Sequence, residues 1–130
     1  MRGTSADRSY VKRLVAIALA GLALRICIRL AVGTQDFWTD GYGQYAALAR
    51  SLCAGQGYAF ADGVPTAFRV PLYSFLVAIT TCGTGSPWPL ILVQAVLSTA
   101  TAVLAGLIAR TMAGRGAGLV AAAIYALWPY

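Results

Sequence analysis

Two long apolar runs limit what this chain can fold into. They cover residues 14–32 and 90–109, which are 19 and 20 residues long. At about 1.5 Å of rise per residue, each run forms a helix of about 28 to 30 Å, close to the thickness of the hydrocarbon core of a bilayer. Only Gln94 and small hydroxyl residues interrupt the second run. Both runs are therefore predicted to cross a membrane.

A third apolar run, residues 117–130, reaches only about 21 Å as a helix, so we expect the chain to end inside or at the edge of a helix. Apolar residues make up 59% of the chain and charged residues 11%, against about 45 to 50% and about 25% in a soluble domain. So few charges cannot solvate the exterior of a soluble fold. We expect an all-α membrane protein with about three transmembrane helices, forming one membrane segment over residues 1–130.

The first run carries two arginines, Arg25 and Arg29, four residues apart and therefore on one helix face. A charge at this depth must reach the interface or a polar cavity. A cleaved signal peptide is the competing interpretation, because a basic start followed by residues 14–24 matches a short apolar core. The two arginines beyond that core fit a signal peptide badly.

The charges between the runs predict an orientation. Residues 1–13 carry four basic residues and one acidic residue, residues 110–116 carry two basic residues, and residues 33–89 carry two basic and three acidic residues. Because basic segments stay in the cytoplasm, the N-terminal tail and the 110–116 loop are predicted to be cytoplasmic and the 33–89 loop external. The Ala-, Arg- and Gly-rich composition is typical of bacteria, so the inner membrane is the expected location.

The external loop is too long to be structureless, and two helices are predicted within it. Apolar residues at helical spacing predict one near residues 41–54, with Gly55 as its C-cap. An apolar stretch near residues 70–81 is too short to span and is suited to lie in the membrane interface or enter it partway. The loop therefore holds two juxtamembrane helices.

Several kinds of chemistry are not expected. The chain contains no His and no Glu, which removes His-based acid–base chemistry and most paired-carboxylate schemes. Its basic residues flank apolar runs instead of forming a basic face, so nucleic acid is not an expected partner. Cys27, Cys53 and Cys82 form no CxxC pair, and neither a zinc site nor a disulfide framework is predicted. We expect them to be small apolar core residues.

Four residues are candidates for function. Asp40 precedes the first loop helix, where it is either an N-cap, with Thr39 as a rival, or a general base or metal-holding carboxylate. Arg69, Arg25 and Arg29 are candidates for binding a lipid-linked phosphate, because the guanidinium fork matches phosphate bidentately. Snorkelling to lipid headgroups is the alternative for each arginine.

A series of short motifs resembles the N-terminal region of the C-type glycosyltransferase superfamily, specifically the bacterial relatives of dolichyl-phosphate-mannose protein mannosyltransferases and of the aminoarabinose transferase acting on lipid A. The matching positions, in order, are Leu24-Arg25, Asp40, Tyr45, Ala49-Arg50-Ser51-Leu52, Gly55-Gln56-Gly57-Tyr58, Gly63-Val64-Pro65-Thr66-Ala67-Phe68-Arg69, Pro71-Leu72-Tyr73 and Gln94. The chain departs from the family pattern in having Asp40-Gly41 for an Asp-Glu pair and Arg69-Val70-Pro71 for Arg-Pro-Pro.

The resemblance implies a multi-helix enzyme that transfers a sugar from a polyprenyl-phosphate donor to an acceptor at the external face. It implies Asp40 as the catalytic or metal-associated carboxylate, with a divalent metal ion as a possible cofactor. Family members have many more helices, so this segment is expected to be inactive alone and to pack against the remaining helices of a longer chain or another subunit.

Two other functions stay open. A small transporter subunit would use Arg25 and Arg29 to line a substrate path. A non-catalytic membrane partner would use small residues of the second run as a packing face for other helices. The small residues concerned are Ala102, Ala105, Gly106 and Ala109.

Overall fold

The computed structural model describes residues 5–39, 42–60, 64–82 and 84–128. It contains four helices, in the order α1 (Ser5–Val32), α2 (Tyr42–Cys53), α3 (Pro71–Thr81) and α4 (Trp88–Leu127). Across the described ranges there is no strand, and β-pairing is limited to an isolated bridge between Ala59 and Pro65. The predicted all-helical fold is therefore confirmed.

Two of the helices, α1 and α4, are long and apolar enough to cross a membrane. In α1 only 11% of the most apolar window is buried within the protein, and in α4 only 22%. The core helix of a soluble protein would be mostly buried, so these exposed apolar faces favour contact with lipid.

Residues 110–116 were predicted to form a loop. They are instead part of α4, which is helical on both sides of a sharp bend. Gly114 adopts φ 87° and ψ 179°, a conformation that residues with a side chain rarely adopt. Residues 88–113 precede this bend and residues 115–127 follow it. The second part is only about 20 Å long. The structure thus gives two helices of spanning length, and a third span is not established.

The chain divides into two compact units. The helical unit comprises the described residues of Met1–Val32 and Val93–Tyr130, and the loop unit comprises those of Gly33–Leu92. Each unit has its own core of buried side chains.

Small residues allow close helix packing in the helical unit. A Cβ added at Gly118 would lie 2.6 Å from the carbonyl oxygen of Gly106, and one added at Gly21 would lie 2.8 Å from the Cβ of Ala126. Gly106 and the buried Ala102 belong to the small-residue face that the sequence offered for packing. Both are in fact enclosed within this unit.

Ionic and aromatic contacts join the start of α1 to both sides of the Gly114 bend. Asp7 accepts hydrogen bonds from Arg110 at 2.6 Å and from Arg115 at 2.8 Å. The Arg110 guanidinium lies over the Tyr10 ring, 4.5 Å from its centroid. The buried Tyr10 hydroxyl donates to the Gly106 carbonyl at 3.0 Å. These contacts hold the two sequence segments of the helical unit together.

The loop unit is built on the packing of α2 against α3. Its core consists of buried residues from both helices and from the first turn of α4: Ala49, Val77, Ala78 and Leu90. Gly55 follows the end of α2 and has φ 73°, as predicted for a C-cap. Its N–H donates to the Leu52 carbonyl at 3.1 Å.

The prediction that the three cysteines are small apolar core residues was wrong, because all three are exposed and two of them pair. Cys53 and Cys82 form a disulfide, with their Cα atoms 5.6 Å apart and a sequence separation of 29. They lie at or just after the C-terminal ends of α2 and α3, which the packing of these helices brings together. Sequence spacing could not reveal the pair because the approach of the two helix ends is tertiary. Cys27, in α1, is a free and exposed thiol.

Candidate functional site

Asp40, the predicted catalytic carboxylate, lies outside the described residues. The segment before it forms a turn, in which the Thr39 hydroxyl donates to the Asp36 carbonyl at 2.7 Å. The N–H of Tyr42 then donates to the Thr39 carbonyl at 3.2 Å as α2 begins. The hydroxyl proton of Thr39, the rival N-cap, is therefore directed to the preceding turn.

Arg69 lies among aromatic rings in the loop unit. Its Nε donates to Gln44 Oε1 at 2.8 Å, and its guanidinium carbon lies 5.5 Å from the Tyr45 ring centroid and 5.0 Å from that of Phe68. Both ring distances are within the range of a cation–π contact. Gln44 was not recognised from sequence, since a single polar residue on a helix carries no signal of a partner 25 residues away.

The backbone at Arg69 is held from the other side. The Tyr58 hydroxyl donates to the Arg69 carbonyl at 2.9 Å. Ser74 is fully buried, and its hydroxyl lies 3.4 Å from that of Tyr58, which can accept its proton. The main chain of Tyr58 is itself bound, because its carbonyl accepts the Thr66 N–H at 3.1 Å beside the isolated bridge between Ala59 and Pro65. The position of Arg69 is therefore defined by both its side chain and its main chain.

The rings beside Arg69 form part of a larger cluster, which we call the aromatic platform and define as Phe37, Trp38, Tyr42, Tyr45 and Tyr73. Tyr45 and Tyr73 meet edge to face with centroids 4.9 Å apart, and Tyr42 lies 6.3 Å from Tyr73. Phe37 contacts both Trp38 and Tyr42. Trp38 and Tyr42 are two residues before and two residues after Asp40. The platform thus includes both sequence flanks of Asp40 and the ring beneath Arg69.

The charge of Arg69 is not neutralised by a carboxylate in the part of the chain that the structure describes. The guanidinium is half-buried, with Nε bound to a neutral amide. A guanidinium in this state can offer its terminal N–H groups to two oxygens of one phosphate. This arrangement is suited to an anionic ligand.

The two arginines of α1 lie in the helical unit. Nη2 of Arg25 donates to the Tyr125 carbonyl at 2.9 Å. That carbonyl belongs to the last turn of α4, where carbonyls lack a partner within the helix. Arg29 is half-buried in the last turn of α1, where a positive charge complements the helix dipole. Arg25 thus donates to the main chain at a helix end, whereas Arg69 donates to a side chain of α2.

The described residues hold no cluster of three or more His, Cys, Asp or Glu side chains that could bind a metal ion. Oxygen ligands from several residues are what divalent cations such as Mg²⁺ or Ca²⁺ require. The described residues do not bring three such side chains together.

Comparisons with protein-family models, with curated proteins and with solved structures find no match for this chain. The resemblance to C-type glycosyltransferases therefore depends on the motif residues themselves. Tyr45, Tyr58, Arg69 and Tyr73 belong to those motifs, and they lie together in the loop unit.

Proposed function

We propose that this chain belongs to a membrane glycosyltransferase that takes a sugar from a polyprenyl-phosphate donor and passes it to an acceptor at the external face. The observation that carries the proposal is the environment of Arg69. Its guanidinium lies over Tyr45 and is oriented by Gln44. The main-chain carbonyl of Arg69 is bound by the Tyr58 hydroxyl. The positions that resemble the transferase family thus converge on a residue suited to phosphate.

The chemistry assigns separate roles to Arg69 and Asp40. When the acceptor hydroxyl attacks the anomeric carbon, the bond to the polyprenyl phosphate breaks and its electron pair goes to a phosphate oxygen. Arg69 neutralises that charge in a site with little water, where such stabilisation is strongest. Asp40 accepts the proton of the attacking hydroxyl.

The proposed topology has a cytoplasmic N-terminus, an external loop unit and a bacterial inner-membrane location. The Cys53–Cys82 disulfide supports an external loop, because disulfides persist in oxidising compartments such as the periplasm and are rare in the cytosol. This support is independent of the charge distribution. In this topology, residues 115–127 begin a third crossing of the membrane.

The packing of α1 supports its retention as a membrane helix. Tyr10, Leu14, Ala18 and Gly21 are its buried residues, and the first two belong to the core of the helical unit. A cleaved signal peptide would remove this face and expose the surface of α4 that it covers.

A binding experiment with matched lipids tests the proposed function. The whole chain is reconstituted in nanodiscs, and its binding of undecaprenyl phosphate is compared with its binding of undecaprenol, which has the same tail and no phosphate. We expect the phosphate to bind at least about tenfold more tightly, since a hydrogen bond to a charged partner contributes about 1.5 to 3 kcal/mol. Equal binding of the two lipids would contradict a phosphate site.

A further inference from the structure

Helix α3 leaves one long apolar stripe uncovered. Leu72, Phe75 and Ile79 occupy positions i, i+3 and i+7, and 79%, 45% and 81% of their surface is exposed. The opposite face carries the buried Ser74, Val77 and Ala78, which pack in the loop unit. The helix is therefore apolar on its packed face and also on its exposed face, where the Phe75 ring stacks on Tyr58 with centroids 6.3 Å apart.

The stripe continues into the segment that leads to α3. Phe68 and Val70 are 65% and 73% exposed, and they flank Arg69. Helix α3 contains no charged residue. By contrast, α2 exposes Arg50 in its last turn, as a helix in water usually does. An uncharged surface of this size on a loop unit marks a contact with an apolar partner.

We infer that this surface, defined by Phe68, Val70, Leu72, Phe75 and Ile79, inserts into the lipid bilayer at its interface. The length of α3, about 16 Å, is about half of the hydrocarbon core and suits partial entry. Arg69 adjoins this surface between Phe68 and Val70, and no described carboxylate forms an ion pair with it, which complements anionic headgroups.

The chain on both sides of α3 fits the same position. The loop unit runs directly into α4, a helix of spanning length, which begins at Trp88, a residue type enriched at membrane interfaces. Tyr73 and Tyr58, next to the surface, have the amphipathic rings that suit headgroup depth. Bilayer insertion of α3 places Arg69 at the level of lipid phosphates. This inference does not require the proposed transferase activity.

Spin-label accessibility in vesicles tests the inference. The full chain with Cys27→Ser carries in turn Ile79→Cys, Leu72→Cys or, as the water-exposed control, Arg50→Cys, each labelled with a nitroxide without reductant. One label per chain shows that the Cys53–Cys82 disulfide is intact. We expect the ratio of collisions with oxygen to collisions with a water-soluble nickel complex to be several-fold higher at positions 72 and 79 than at position 50.

Each other outcome would overturn the inference. Equal ratios at positions 72, 79 and 50 would show that α3 faces water. Low collision rates with both oxygen and nickel at positions 72 and 79 would show a protein cover, such as a second copy of this chain. Because two positions on the stripe are measured, a local effect of either substitution does not decide the result.

Discussion

Arg25 and Arg69 are both half-buried arginines, but the two units of this protein hold them in different ways. In the helical unit, Arg25 donates to a main-chain carbonyl of Tyr125, where a helix end needs a donor. In the loop unit, Arg69 is oriented by the amide of Gln44 over a tyrosine ring. The first arrangement provides a donor to the protein's own backbone, whereas the second provides a donor to a neutral side chain. An arginine in a long apolar helix is therefore not by itself evidence of a binding site.

Substitution of Asp40 should cause the greatest loss of activity. It tests whether the chemistry belongs to the loop unit. With the remaining helices of the proposed transferase present, Asp40→Asn should lower sugar transfer from a radiolabelled polyprenyl-phosphate donor in membranes about a thousandfold, because an amide cannot accept the proton. Asp36→Asn, a matched change at an exposed position of the same loop, should leave transfer unchanged. Equal rates for the Asp40 and Asp36 variants would remove Asp40 from the mechanism.

Loss of the disulfide should affect the loop unit strongly. Replacing Cys53 and Cys82 by Ser should lower the free energy of unfolding by about 3.5 kcal/mol, because a loop closed over a sequence separation of 29 residues is released in the unfolded chain. Denaturant unfolding in detergent micelles measures this change. Cys27→Ser is the control and should have little effect. A loss no larger than that of the control would show that the cross-link does not stabilise the protein.

Packing in the helical unit gives the next effect. Gly118→Ala should lower the free energy of unfolding by about 2 kcal/mol, because its Cβ would lie 2.6 Å from the backbone oxygen of Gly106. Gly116→Ala adds the same methyl group where no atom lies within 4 Å and should be neutral or stabilising. Equal stability of the two variants would contradict close packing at Gly118.

The smallest effect concerns Arg25, the half-buried arginine of the helical unit. Arg25→Met should lower the free energy of unfolding by about 1.5 kcal/mol, because the Tyr125 carbonyl loses a charged donor. Arg50→Met is the exposed control and should change stability by less than about 0.5 kcal/mol. If thermal or denaturant unfolding shows no difference between these variants, Arg25 is not a structural donor.

The parts of the fold that depend on local pattern were predictable from sequence. Apolar spacing predicted α2 and α3, and Gly55 marked the end of α2 because a left-handed residue there favours glycine. The bend at Gly114 was expected as a loop, since glycines and charges around it resemble a connection. Helices were predicted over residues 90–109 and 117–130, but the sequence did not indicate that helix reaches residue 113 and resumes at residue 115.

The site was predictable only in its residue types. Arg69 was a candidate because guanidinium suits phosphate, but its contact with Gln44 depends on how α2 meets the segment before α3. The same packing brings Cys53 to Cys82. Contacts of this kind arise from tertiary structure, so single residues separated by 25 or more positions leave no periodic signal. Arg25 was an equal candidate in sequence, and only its bond to Tyr125 distinguishes it.

Phosphate binding by Arg69 is the property on which the proposed function depends most. Its most direct test is the affinity of the full chain in nanodiscs for undecaprenyl phosphate, measured for Arg69→Ala and for Arg50→Ala, an equal loss of charge on the exposed end of α2. We predict at least about a tenfold loss of affinity for Arg69→Ala and less than about a twofold change for Arg50→Ala. Equal affinities of the two variants would contradict phosphate binding by Arg69.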